Sequence, residues 1–224
     1  MKTLLCINAS GRQTRSITRK LTRRFVDRWR TAHPDGRVID RDVGGVASDP
    51  PPCVNERWIA AAFSAPATRS EGQRAALALS ETLIAEIESA ELIVLGAPIY
   101  NFGMPAQLKA YFDQIVRVGR TFAYEPGRAE PYRPLLEDKP VIVVVSAGDG
   151  AIHPGGPLEG MNHLEPHLRT VFDFIGIRSL EFVRVGYEEF ADERLRDSID
   201  AAERALDRRS LAARGPAGSP DDRA

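Results

Sequence analysis

Two short stretches of the sequence carry side chains suited to holding a small ligand. In the first, Ser10 follows a β-rich run at residues 3–7, and a helical pattern then begins with Ser16, Ile17 and Thr18. Hydroxyl groups and the free backbone N–H groups of a helix N-terminus can bind a phosphate without a lysine. The alternative is that Ser16 only caps the helix. This stretch is therefore a candidate phosphate site.

The second stretch is an aromatic and amide loop. Residues 92–95 are four consecutive apolar residues, which predict a strand covered on both faces. The loop after this strand contains Pro98, Ile99, Tyr100, Asn101 and Phe102. Ligands of open α/β sheets bind at the carboxyl ends of strands. Tyr100 and Phe102 could instead be core aromatics, but their position after a buried strand favours a ligand site.

Several motifs that would define another kind of site are absent from the sequence. The first strand is followed neither by Gly-x-Gly-x-x-Gly nor by Gly-Lys-Ser/Thr, so a Rossmann dinucleotide site and a P-loop are excluded. The histidines His33, His163 and His167 have no cysteine or carboxylate partners at ligand spacing, so we predict no metal site. No Ser-His-Asp or Cys-His signature is present.

Composition limits the class of protein. The 224 residues are 43% hydrophobic, which is enough for one full core. A net charge of -1 carries no electrostatic signature of nucleic acid or of an anionic membrane as partner. Only four apolar residues follow the first three before Asn8, too few for a signal peptide or a membrane span. We therefore expect a soluble cytoplasmic protein that has neither nucleic acid nor a membrane as its partner.

Five strand patterns alternate with helical patterns along the chain. The strand patterns lie at residues 3–7, 37–40, 92–95, 141–145 and 180–185. The helical patterns lie at residues 17–33, 70–89, 105–118, 161–174 and 193–211, and Ser70 is a candidate cap for the second of them. Because right-handed crossovers place helices on both faces of a parallel sheet, this alternation predicts a doubly wound α/β fold.

The chain is predicted to form a single domain over residues 1–211, with a disordered tail at residues 212–224. Two internal segments, 44–67 and 119–138, show no sustained period and are expected to be irregular. The first is too long for an ordinary connection. It carries Trp58, Ile59 and Phe63, which we expect to bury against a second subunit in a two-fold homodimer.

The two candidate stretches end adjacent strands, so a phosphate on one and a flat ring against the other describe a mononucleotide with a large ring. Flavin mononucleotide (FMN) fits best. The motifs Ala-Pro-Ile-Tyr-Asn-Phe at residues 97–102 and Gln-Leu-Lys-Ala-Tyr-Phe-Asp at residues 107–113 resemble those of FMN-dependent NADH azoreductases and quinone reductases. Residues 119–124, 152–153 and 174–177 match that family as well. The resemblance implies a flavodoxin-like fold with strand order 2-1-3-4-5.

The resemblance also implies which residues contact the flavin. It places Ser10, Ser16, Ile17 and Thr18 on the FMN phosphate. It places along the ring and ribityl chain Pro98, Ile99, Tyr100, Asn101 and Phe102. A third contact loop contains Ser146, Ala147, Gly148, Asp149 and Gly150. This loop usually reads Ser-Arg-Gly-Gly before Ile-His in the family, whereas here it is two residues longer and lacks the arginine.

The implied reaction has two half-reactions, in which NADH or NADPH gives a hydride to the flavin and a quinone or azo compound then takes the electrons. The flavin carries this chemistry, so no catalytic side chain is required, with His153 and Tyr124 as candidates only. Tyr124, Phe172 and Phe174 are the candidates for the substrate-pocket wall. Two alternatives remain open: a flavodoxin-like electron carrier, which would usually present an acidic docking face, and a reductase for one biosynthetic quinone or nitro compound.

Overall fold

The computed structural model describes residues 1–45 and 50–212 of the chain. Its strands are β1 (Thr3–Asn8), β2 (Arg37–Asp42), β3 (Leu92–Pro98), β4 (Phe122–Tyr124), β5 (Tyr132–Pro134), β6 (Val141–Ser146) and β7 (Leu180–Val185). Its α-helices are α1 (Ile17–Ala32), α2 (Glu56–Phe63), α3 (Glu71–Ser89), α4 (Ala106–Ile115), α5 (Leu164–Ile175) and α6 (Glu193–Ala212).

The main sheet has five parallel strands in the order β2-β1-β3-β6-β7. Counted within this sheet alone, the order is 2-1-3-4-5, so the expected strand number, direction and order are confirmed. The strand order reverses between β1 and β3, which makes the edge beside their carboxyl ends a crevice for ligands.

Side chains of the strands alternate between two core clusters. Leu5 and Ile7 of β1 pack in one cluster with residues of α3, α4 and α5, whereas Leu4 and Cys6 pack in the other with residues of α1 and α6. Every residue of β3 is buried, because both surfaces of this central strand are covered. The core thus holds β1, β3 and β6 rigidly and fixes where the loops after them begin.

Helix termini follow local hydrogen bonds. Ser70 caps α3 as expected, in a capping box with Gln73. Helix α4 ends at Ile115 instead of near residue 118, because the hydroxyl of Thr121 donates to the carbonyl oxygen of Ile115 and accepts from the amide of Arg117. Helix α5 starts at Leu164 instead of near residue 161, where a 3₁₀ turn (Glu159–Met161) comes first.

Both segments that were expected to be irregular contain regular structure. Residues 119–138 include the antiparallel hairpin of β4 and β5. Residues 44–67 include α2, and its N-cap is Asn55, whose side chain accepts a hydrogen bond from the amide of Trp58. The expectation that residues 44–67 are irregular is therefore wrong for the part of this segment that the structure describes. Residues 46–49 lie outside that part.

Helix α2 packs on its own chain. The indole Nε1 of Trp58 donates to Oε1 of Gln114 at 2.8 Å, and Trp58 lies against a small cluster of Ala61, Ala62 and Leu77. Trp58 is thus part-buried within its own chain, whereas Ile59 and Phe63 are exposed, and their burial against a second subunit stays a prediction. The tail predicted at residues 212–224 lies outside the described residues beyond Ala212. Within the described ranges, no helix is long and apolar enough to cross a bilayer.

Candidate functional site

A cavity of about 670 Å³ lies at the carboxyl edge of the sheet. Its walls come from the loops after β1, β3, β6 and β7, from the first turn of α1 and from the first two turns of α6. The lining residues are Ser10, Arg12, Arg15, Ser16, Ile17, Pro98, Ile99, Tyr100, Asn101, Ser146, Gly148, Glu188, Glu189, Leu195 and Ile199. The cavity therefore joins residues from all three of the loops that the sequence singled out.

One end of the cavity is rich in hydroxyl groups. Ser10 and Ser16 line it, and the buried Thr18 places Oγ1 at 3.1 Å from Oγ of Ser16. Ser16 is also the N-cap of α1, where its Oγ accepts from the amide of Arg19 at 3.2 Å. The capping role and a place on the cavity wall are thus compatible in one side chain.

Charged residues surround this hydroxyl-rich end. Arg12 and Arg15 precede α1, and Arg12 forms an ion pair with Glu188. The guanidinium groups add positive charge where the N-terminus of α1 already has the positive end of a helix dipole. This end of the cavity suits an anion, although Glu188 and Glu189 also contribute to its wall.

The aromatic loop makes a tight turn. The amide of Tyr100 donates to the carbonyl of Gly103 and the amide of Gly103 donates to the carbonyl of Tyr100, both at 3.0 Å. The two residues between them have positive φ angles, 45° for Asn101 and 72° for Phe102, as in a type I′ turn. Such a conformation is strained for phenylalanine, and strain of this kind concentrates at functional sites.

The turn sends its two central side chains to different places. Asn101 lines the cavity together with Pro98, Ile99 and Tyr100. Phe102 is exposed and is not among the lining residues, and its carbonyl oxygen accepts from the amide of His163 at 2.8 Å. The structure thus brings together most of this predicted stretch and leaves Phe102 beside it.

The third loop contributes Ser146 and Gly148 to the cavity, whereas Ala147 is buried. Asp149 accepts a hydrogen bond from the amide of Ala151 and is occupied in a local turn. A Cβ atom at Gly150 would come within 2.6 Å of the ring of Tyr187. Glycine at this position is therefore explained by packing inside the chain.

The residues that sequence reasoning missed come from both ends of the chain. Arg12 and Arg15 could have been found, because they lie between the predicted Ser10 and Ser16. Glu188 and Glu189 had no such signal. They reach the cavity because their amides donate to the carbonyls of Ala147 and Gly148, which ties the loop after β7 to the loop after β6.

His153 is not among the lining residues. Its Nε2 lies 3.1 Å from the carbonyl oxygen of Val185, so Nε2 carries the proton and donates. The other ring nitrogen, Nδ1, is buried and has no hydrogen-bond partner within the part of the chain that the structure describes. Burial lowers the pKa of His153 below its ordinary value of 6.5. A neutral imidazole therefore prevails at neutral pH.

The three aromatic candidates for a substrate pocket do not line the cavity. Phe172 is fully buried in the core, 5.3 Å from the ring of Phe112, so its assignment to a pocket wall is corrected. Tyr124 and Phe174 lie in an aromatic cluster with Tyr132, at 5.4 Å and 5.5 Å from its ring centre.

Across residues 1–45 and 50–212, no group of three or more His, Cys, Asp or Glu residues is placed to hold a metal ion.

Comparison with known proteins gives concordant results. A family model described as a flavodoxin-like fold matches residues 1–209. An FMN-dependent NADH:quinone oxidoreductase of Opitutus terrae is 50% identical over 208 residues, which cover 92% of this chain and 96% of the relative. An FMN-dependent NAD(P)H:quinone oxidoreductase of Pseudomonas aeruginosa is 43% identical, with 92% of this chain and 97% of that one covered.

Solved structures share the fold. The crystal structure of an azoreductase from Bacillus anthracis superposes with a TM-score of 0.82 at 23% sequence identity. The match covers 95% of this chain and 100% of the azoreductase. At that level of identity, the likeness concerns the fold alone.

Proposed function

The chain belongs to the FMN-dependent NADH:quinone oxidoreductase family of flavodoxin-like proteins, and on this premise we propose that it transfers electrons from NAD(P)H to quinones and azo compounds through FMN. The observation that carries the proposal is a single cavity with an anion-binding end and an aromatic end. Quinones are supported by the names of the relatives. Azo compounds are included because of the motif at residues 97–102.

The donor groups at the hydroxyl-rich end fit a phosphate monoester. Ser10 and Ser16 offer hydroxyl groups, and α1 offers the free amides of its N-terminus. The hydroxyl of Thr18 is within hydrogen-bond distance of the Ser16 hydroxyl. Among the arginines on the wall, Arg12 is paired with Glu188. Arg15 is exposed at the same wall, and we assign to it the charge that meets the phosphate.

The other end fits a flat ring. Pro98, Ile99, Tyr100 and Asn101 form one wall, and Ser146 and Gly148 form part of another. The absence of a side chain at Gly148 lets the backbone come near a ring. Phe102, Ala147, Asp149 and Gly150 remain proposed contacts of this end, although none of them lines the cavity in the structure.

When bound, FMN would supply the redox chemistry, as a carrier of two electrons between NAD(P)H and the acceptor. The chain's own residues bind the phosphate, form the wall beside the flavin ring and fix the positions of the loops that line the cavity. No side chain has to act as a nucleophile. His153 is neutral and hydrogen-bonded to the backbone of β7, so we assign it a part in holding the third loop.

We propose further that donor and acceptor use the same place in turn, which gives a ping-pong mechanism. Both substrates have to reach the same bound flavin in this one cavity, so each must leave before the other can react. Steady-state rates measured against both substrates are expected to give parallel lines in double-reciprocal plots. Intersecting lines would require both substrates on the enzyme together and would contradict the shared site.

The proposal includes a homodimer. Ile59 and Phe63 lie four residues apart on α2 and are 45% and 78% exposed. Apolar side chains presented together on one helix face are a typical subunit contact. Tyr124 and Phe174 keep their proposed place on the acceptor pocket only as part of this dimer, because neither lines the cavity within one chain.

Two further points belong to the proposal. The two core clusters support the doubly wound arrangement expected from the alternation of strands and helices. A cytoplasmic location, expected from the sequence, is also part of it.

The identity of the bound flavin tests the proposal. Purified protein is expected to be yellow and to release FMN on denaturation, identified by chromatography against FMN, FAD and riboflavin standards. Recovery of FAD at full occupancy, or of no flavin after loading with FMN, would contradict it.

A further inference from the structure

Arg19 holds one particular peptide unit of the first loop. Its Nε and Nη2 donate to the carbonyl oxygen of Ser10, at 3.2 Å and 2.7 Å. The same guanidinium forms a bidentate ion pair with Asp42, in which Nη1 donates to Oδ2 at 2.9 Å and Nη2 donates to Oδ1 at 2.6 Å. Because the Asp42 carboxylate neutralises its positive charge, Arg19 attracts a second anion only weakly.

The carboxylate that holds Arg19 is itself fixed. Asp42 ends β2, and its Oδ1 accepts from the amides of Gly44 and Gly45 at 3.1 Å and 2.8 Å. The backbone there comes so near to the first loop that a Cβ atom at Gly44 would lie 2.6 Å from the carbonyl oxygen of Ser10. Arg19 therefore connects Ser10 to the carboxyl end of β2.

The orientation of the Ser10 carbonyl decides where the next amide points. In a trans peptide the C=O and the following N–H point in opposite directions. With the Ser10 carbonyl turned to Arg19, the Gly11 N–H is directed to the other side, where it donates to the hydroxyl oxygen of Tyr100 at 3.2 Å. A hydroxyl that accepts in this way still has its own proton to donate. Tyr100 lines the cavity, so that proton is available there.

We propose that Arg19 is a positioning residue for the phosphate end of the site. It fixes the Ser10–Gly11 peptide, and through the Gly11 N–H it fixes the hydroxyl of Tyr100 as a donor to the phosphate. Arg19 does not line the cavity and acts through this peptide. The inference rests on the proposed function, because it takes the ligand to be FMN.

The opposite orientation of the peptide explains why such an anchor is needed. A flipped Ser10–Gly11 unit would turn the carbonyl oxygen towards the cavity and the N–H away from it. A phosphate would then face a partial negative charge, and Tyr100 would lose its fixed partner. Gly11 allows this flip easily, because glycine accepts both signs of φ.

The test compares two ligands that differ only in the phosphate. Dissociation constants of FMN and of riboflavin are measured by flavin fluorescence on the flavin-free full-length chain, for wild type, Arg19→Gln and Arg19→Lys. Loss of Arg19 is expected to weaken FMN by roughly tenfold to a hundredfold, as for the loss of one or two charge-assisted hydrogen bonds, while riboflavin changes little. Lysine cannot supply the planar fork, so Arg19→Lys should resemble Arg19→Gln.

Arg23→Gln is the matched control. Arg23 lies one turn further along the same helix, is exposed and lines the neighbouring groove, so its loss removes the same charge without touching Ser10. It should leave the ratio of the two dissociation constants unchanged.

Three outcomes would overturn the inference. Equal weakening of FMN and riboflavin by Arg19→Gln would show that Arg19 does not act on the phosphate end, whether or not thermal unfolding of the flavin-free variants also registers a loss of stability. A wild-type ratio in Arg19→Lys would mean that charge alone matters. If wild-type protein binds neither flavin, the proposed function fails, and this inference fails with it.

Discussion

The backbone amide of Gly11 donates a hydrogen bond to the hydroxyl oxygen of Tyr100, with 3.2 Å between nitrogen and oxygen. The two residues are 89 positions apart in the sequence and belong to the loops after β1 and β3. The bond joins the hydroxyl-rich end of the cavity to its aromatic end, so neither loop is positioned independently of the other.

Removal of the Tyr100 hydroxyl is expected to speed the release of FMN. Tyr100→Phe keeps the ring on the cavity wall but leaves the Gly11 amide without this acceptor. We expect release to be roughly ten to a hundred times faster, in line with the loss of a charge-assisted hydrogen bond to the phosphate. The rate is measured by mixing loaded protein with an apoflavodoxin that captures free FMN.

Tyr132→Phe makes the same change on the hairpin and should release FMN at the wild-type rate. Equal rates in Tyr100→Phe and wild type would contradict a role for the link.

Two substitutions at Ser16 separate its capping role from its role at the phosphate. Aspartate is as good an N-cap as serine, so Ser16→Asp should unfold close to the wild-type temperature. Its carboxylate should nevertheless repel a phosphate at the N-terminus of α1, and we expect the protein to lose its flavin.

Ser16→Ala should behave in the opposite way. Loss of the cap lowers the free energy of unfolding by about 1 kcal/mol, while FMN still binds with reduced affinity. Thermal unfolding and flavin content are measured on both variants. Retention of FMN by Ser16→Asp at the level of Ser16→Ala would argue against a phosphate at this position.

The pKa of His153 predicts how stability depends on pH. Burial lowers this pKa in the folded state, whereas the unfolded chain takes up the proton near the ordinary value of 6.5. The unfolded state therefore binds more protons as the pH falls below that value, and the free energy of unfolding decreases with it.

Urea unfolding between pH 7.5 and pH 5 measures this effect. His153→Gln removes the titrating group and should give a flatter dependence than wild type in that range. His167→Gln serves as a comparison on α5 and should keep the wild-type slope. An unchanged slope in His153→Gln would show that other groups cause the dependence.

The exposed face of α2 predicts the oligomeric state. Light scattering at micromolar concentration should give about twice the chain mass of 24.6 kDa. Phe63→Glu places a charge on a side chain that is 78% exposed within the chain, so it should leave the fold intact and shift the protein towards monomer. A wild-type monomer, or a Phe63→Glu dimer as stable as wild type, would contradict this assignment of the interface.

The sheet could be predicted from the sequence because its signals are local. The apolar runs at β3 and β6 have no polar face, so they predict central strands, and Ser70 predicts the start of α3, where it forms a capping box with Gln73. The order of the strands, in contrast, came from resemblance to a known family.

What the sequence did not predict depends on contacts between distant segments. Glu188 reaches the cavity only because its amide bonds to Ala147, and Phe172 is buried only because α5 packs that face on Phe112. The helix α2 has eight residues, too few to show a helical period among neighbouring prolines. These features are set by tertiary packing, which local patterns do not encode.

The central claim is that this chain passes electrons from a reduced nicotinamide to a small acceptor through its flavin. The most direct measurement follows the flavin absorbance near 450 nm without oxygen, first on addition of NADH or NADPH and then of a quinone. We expect rapid bleaching by the nicotinamide and full recovery with the quinone in every cycle. A flavin that neither nicotinamide reduces, or a reduced flavin that quinones leave unchanged, would contradict the account.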